Sequence, residues 1–123
     1  MAKSVHSDVL DGANDIVRNA CNVMTICSQE PTTRTHAVTD YMLVSIPMTS
    51  GSFTKAANSP SGRKLTVSAS TGTSATNSGT ATHVAFCDGT RLLYVDTCTS
   101  QVITAGNLVN TPAFDILKIE NPT

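Results

Sequence analysis

A chain of 123 residues, 40% apolar and 14% charged, has the size and composition of one globular domain that buries a core without metal or disulfide staples; a disordered tail is excluded. Eight basic and nine acidic residues give a net charge of −1, and the only adjacent basic pair is Arg63-Lys64, so nucleic acid, which calls for a basic face, is excluded as the expected partner. No apolar run has bilayer-spanning length, and Met1-Ala2-Lys3-Ser4 leads into polar sequence without the apolar core of a signal peptide, so cytosolic synthesis and no membrane partner are expected.

Ser and Thr make up about a quarter of the chain, and Thr favours half-exposed strands over helix interiors, where its branched Cβ is restrained. One helix is nevertheless predicted over about 7–20. Val9, Leu10, Ala13, Ile16, Val17 and Ala20 recur at the spacing of one helical face, Ser7 suits the N-cap, and Asp8, Asp11 and Arg18 complement the dipole. The β-rich region then runs over about 21–120. Cys21 to Cys27 has apolar residues on both parities, as in a strand buried on both faces. Ser28-Gln29-Glu30-Pro31-Thr32-Thr33 supplies a turn, and Thr39 to Met48 a strand that Pro47 confines to an edge.

Thr49 to Gly62 has loop composition, and a surface excursion anchored by Phe53 is expected there. Lys64 to Ser70 alternates, with Leu65, Val67 and Ala69 on one face. Thr71 to Gly79 fits either a linker or a Thr-rich strand. Thr80 to Cys87 and Arg91 to Cys98, joined by Asp88-Gly89-Thr90, predict an antiparallel hairpin in which Gly89 supplies a positive φ. A short run at Val102-Ile103, a turn at Ala105-Gly106-Asn107 and a final strand within Leu108 to Glu120 complete the chain. The expected fold is mainly β, a single domain over 1–123: a β-sandwich or jelly-roll-like small barrel with one N-terminal amphipathic helix.

No constellation for chemistry stands out. Neither a phosphate-binding glycine loop nor a G-x-S-x-G elbow occurs, and His6, His36 and His83 lie far apart with no metal-ligand spacing. A Cys-His pair drawn from Cys27 or Cys87 with His36 or His83 is no more than a combination. Cys21, Cys27, Cys87 and Cys98 have no regular spacing and are expected as free thiols, Cys87 and Cys98 being too far apart along the hairpin to bridge. No catalytic residue, cofactor or metal is expected, and the chain reads as a non-enzyme.

Several segments together carry a resemblance: Ser4 to Gly12, Ser28 to Thr33, Ser61 to Val67, Ala81 to Ala85 with Leu92 to Val95, and Thr97 to Gln101 with Ala105 to Asn107. In these the chain resembles a group of small virion proteins encoded near the head genes of tailed bacteriophages, with Cys87 where an aliphatic residue is usual and Phe114 where a Trp is usual. The resemblance implies a capsid cement or decoration protein, made in the host cytoplasm and placed on the capsid exterior. Its implied partners are the major capsid protein and further copies of itself, as a homodimer or homotrimer. The alternative is a receptor- or carbohydrate-binding module of a head fibre or tail, for which Tyr41, Phe53, Phe86, Tyr94 and Phe114 would have to supply stacking platforms.

Overall fold

The computed structural model describes residues 6–58 and 62–119. The fold is mainly β, with one α-helix among the described residues, α1 (Ser7–Ala20), ahead of the strands. The first sheet holds, in spatial order, β2 (Met42–Pro47), β1 (Val23–Cys27), β6 (Gly79–Cys87) and β7 (Leu92–Ile103). A second sheet has the order β3 (Phe53–Ala57), β4 (Arg63–Val67), β9 (Phe114–Ile119), and a third pairs β5 (Ser70–Ser74) with β8 (Leu108–Thr111). All pairings are antiparallel. The strand orders are open, so the sheets pack as layers and do not close into a barrel.

The interior follows from alternation on the central strands. Met24 and Ile26 of β1 and Val84 and Phe86 of β6 enter the main core with Leu65, Val67 and Ile116 of the second sheet. Phe86 sits at the centre, its ring 5.9 Å from Phe53, 6.1 Å from Tyr94 and 6.2 Å from Phe114, which ties the first two sheets together. The opposite parity, Cys27, Ala85 and Cys87, forms a smaller cluster roofed by Ala37. Ala37 belongs to a π-helical turn, His36–Asp40, which occupies the start of the stretch expected as strand; β2 begins only at Met42. As the alternation of Cys21 to Cys27 requires, β1 is buried on both faces, and β2 is the edge that Pro47 demands.

Four expectations are corrected. The apolar stripe of α1 faces the core only in part: Val17 is buried there beside the polar Asp11 and Asn14, while Val9, Ala13 and Ile16 are exposed. The side chains of Ser7, Asp8 and Leu10, with the capping role expected of Ser7, lie outside the described residues. Part of the expected loop from Thr49 to Gly62 is a strand, β3, because Phe53 is buried and its neighbours pair in register with β4; residues 59–61 lie outside the described residues. β4 stops at Val67, which leaves Ala69 exposed, and Thr71 to Gly79 resolves into most of β5 and the start of β6. Positive φ occurs at Gly62, Gly72 and Gly106 but not at Gly89. The hairpin turn is instead held by Asp88, whose carboxylate accepts from the N–H groups of Thr90 and Arg91.

Candidate functional site

The hairpin of β6 and β7 runs longer than its sequence suggests, and its irregularity creates the most distinctive surface of the molecule. Ala81 pairs with Gln101 and His83 with Thr97, so a single residue, Thr82, stands opposite three, Cys98 to Ser100. Such a bulge bends the longer strand and strengthens its twist. β7 then enters the turn Thr104–Asn107, where Asn107 donates to the Thr104 carbonyl at 3.1 Å and Gly106 takes φ +87°. Ala75 holds this turn in place by donating to the Asn107 carbonyl and accepting from the Gly106 N–H, each at 2.9 Å. The chain is thereby delivered to β5, and β8 pairs with β5 instead of folding back on β7.

Two consecutive strands therefore diverge and leave a cleft of about 830 Å3 between them. Its deep side is apolar, with Ile26, Val84 and Ile103 buried and Phe114 half-buried; hydroxyl and amide side chains, among them Thr99, Gln101, Asn107 and Asn110, form its sides. Val102 and Leu108 project at the rim, 76% and 66% exposed. The Oγ1 of Thr111 is buried in the wall with no hydrogen-bond partner. Among the described residues one charged side chain lines the cleft: Asp96, whose carboxylate accepts from the Thr97 N–H at 2.8 Å and the Tyr94 hydroxyl at 3.4 Å. Half-buried Cys98 also lines it, its thiol pKa raised by burial and further by the charge of Asp96.

α1 presents the second notable surface. It is fixed to the second sheet by polar contacts: Arg63 to Asp11 at 3.0 Å, Lys55 to Asp15 at 3.0 Å, and the Arg18 guanidinium to the Phe53 carbonyl at 3.4 Å. Beneath the helix Asn14 is fully buried with neither amide atom hydrogen-bonded, while Val9 and Ile16 are 68% and 54% exposed on the outer side. Large exposed hydrophobics among the described residues thus fall in two pairs, one on the helix and one at the rim of the cleft. Composition foreshadows neither pair; the cleft depends on a bulge and on a turn captured by a distant residue.

The groups weighed for chemistry from sequence do not line the cleft, and among the described residues none of the Cys-His combinations is joined by a hydrogen bond. His36 accepts from the Thr32 N–H and stacks on Tyr41 at 4.8 Å, and His83 shares a 2.9 Å hydrogen bond with Thr82. Cys27 and His83 are opposite in register, but the Cys27 thiol turns to Thr25 and the Ala37 carbonyl. Burial raises the Cys27 thiol pKa, and that of Cys87 to about 11, the reverse of what a nucleophile needs. All four cysteines are free, and among the described residues no group of three or more His, Cys, Asp or Glu is placed to hold a metal ion. Comparison of the chain with family models, curated proteins and solved structures finds no match.

Proposed function

We propose that this chain is a bacteriophage virion structural protein, a cement or decoration protein that binds the outer surface of the assembled head and stabilises it, and that it is not an enzyme. The observation that carries the reading is the pairing of the open cleft with exposed Val102 and Leu108. Exposed apolar side chains around a groove mark contact surfaces, and this groove has the size of a binding site without a reactive cluster in it. The resemblance to small head-region virion proteins supports the same reading.

Cementing requires only preferential binding. A protein that binds the assembled lattice and not its separated subunits adds its binding free energy to assembly by linkage. The major capsid protein is the proposed main partner, and further copies of this chain the second. For self-contact the outer side of α1 offers a two-fold arrangement in which antiparallel helices set Val9 against Ala20 and Ala13 against Ile16, large side chain opposite small. The receptor-module alternative has less support, because Phe53, Tyr94 and Phe114 each pack on the buried Phe86 and Tyr41 is half-buried beside His36.

Quantitative mass spectrometry of purified particles, with a melting curve of particles made without this gene, tests the proposal. It predicts a copy number that follows the number of shell subunits and an earlier loss of shell integrity in the particles lacking the protein. A handful of copies with unchanged shell stability would move the protein to the tail, and absence from particles would remove the virion reading.

A further inference from the structure

We infer that the cleft between β7 and β8 is a strand-acceptor site: an extended segment of the shell protein enters it and pairs with the backbone edges on either side. The inference rests on the virion reading and gives it a contact mode. Among the described residues β7 is an edge strand of twelve residues paired with β6 alone, and β8 is paired with β5 alone. Each thus has an edge with no strand paired to it, although on β7 the Thr97 N–H is already taken by the Asp96 carboxylate. A long strand edge is commonly blunted by Lys, Pro or a covering element. β7 contains neither Lys nor Pro, and of its two register irregularities one lies at Leu93 near the hairpin turn, while the larger, the bulge at Cys98 to Ser100, borders the cleft without closing it.

The volume admits a short strand. Neighbouring strands lie about 4.7 Å apart, sheets stack about 10 Å apart and a strand rises about 3.3 Å per residue, so one residue of strand fills roughly 155 Å3. The cleft of about 830 Å3 then holds roughly five residues, close to the four of β8. Such a guest would join the first and third sheets into one, in the order β2-β1-β6-β7-guest-β8-β5. Because β7 and β8 are consecutive strands joined by a turn, the guest runs antiparallel to one and parallel to the other.

The lining specifies the guest. Alternate side chains of a strand point to opposite faces, so one set meets the apolar side of Val84, Ile103 and Phe114 and the other meets solvent between Val102 and Leu108. Among the described residues no cation is paired with Asp96, the single charge in the lining, so a basic residue of the guest belongs at that end. The proposed occupant is therefore an extended, largely uncharged segment of alternating apolar and small polar residues carrying one Lys or Arg. Main-chain hydrogen bonds provide the affinity and the alternate side chains the selectivity.

Cys98 provides the test, since it lines the cleft while Cys21, Cys27 and Cys87 are buried elsewhere and report whether the fold is intact. The full chain is mixed with shells purified from particles made without this gene. Binding is measured by co-sedimentation, Cys98 alkylation by N-ethylmaleimide at fixed pH, and backbone hydrogen exchange over 96–111. The inference predicts at least a tenfold slower Cys98 alkylation on shells, slowed exchange along 96–103 and 108–111, and at least tenfold weaker binding of the doubly substituted Val102→Lys, Leu108→Lys chain with its three buried thiols still protected. Binding to shells with Cys98 and the edge amides as reactive as in the free protein overturns the strand-acceptor site and leaves the virion reading standing. Absence of binding by the unmodified chain overturns both.

Discussion

β6 and β7 belong to one hairpin, yet β6 is buried from Val84 to Cys87 while β7 is exposed from Thr99 to Val102. The two strands have similar residue types, rich in Thr and aliphatics. Position separates them: β6 has a strand on each side, and the second half of β7 has one neighbour and an open cleft. A strand flanked on both edges contributes core; a strand with one free edge is available for contact. The helix repeats the contrast, with Asp11 and Asn14 inward and Val9 and Ile16 outward.

Substitutions break or sharpen this contrast, beginning with the largest effect. Phe86→Ala removes the ring that joins the first two sheets and is expected to cost about 3–5 kcal/mol in denaturant unfolding. Asp11→Ala strips Arg63 of its partner under the helix and should cost about 1–3 kcal/mol by the same measurement. Asn14→Leu goes the other way: it replaces a buried amide with no partner by an apolar side chain of similar size, and a gain of about 1–2 kcal/mol is expected. A loss would mean that the amide has a partner the helix needs.

Acid and alkali probe the turn and the buried thiols. Hydrogen bonds from Thr90 and the Arg91 side chain lower the Asp88 pKa to about 2, and contacts with Lys64 and Thr66 lower that of Asp115. Carboxylates lowered on folding stabilise above their unfolded pKa near 3.9, and the contribution of Asp88 is lost as pH falls from there through about 2. The Cys87 thiol, raised to about 11 by burial, works in the opposite sense: its contribution is full below the unfolded value near 8.5 and disappears as pH rises towards 11. Thermal midpoints should accordingly fall in both ranges, with Asp88→Ala flattening the acid limb and Cys87→Ala the alkaline one. The smallest expected change in stability, within about 0.5 kcal/mol, is for Ile16→Lys on the open helix surface; light scattering should nevertheless show a shift towards monomer.

Much of the fold is legible in the residues. The double-sided alternation of Val23 to Cys27 marks a central strand, Pro47 an edge, and the Leu65-Val67 spacing a half-buried strand. What misleads is tertiary. The helical periodicity is real, but of the expected stripe Val17 alone is buried in the core, while Arg63 and Lys55 on the adjoining sheet pair with Asp11 and Asp15 and leave Val9, Ala13 and Ile16 outward. Phe53 is read correctly as an anchor, yet the strand it begins is hidden by the small polar residues around it. The cleft leaves almost no trace in sequence, because it needs Ala75 to capture the turn after β7, a contact across roughly thirty residues of chain.

A cryo-EM map of the intact particle tests the central claim most directly. The account predicts the protein on the outer shell with continuous main-chain density from a shell subunit lying between β7 and β8, at strand spacing from both. Density that seats the protein through other surfaces, with Val102 and Leu108 facing open solvent over an empty cleft, would contradict it.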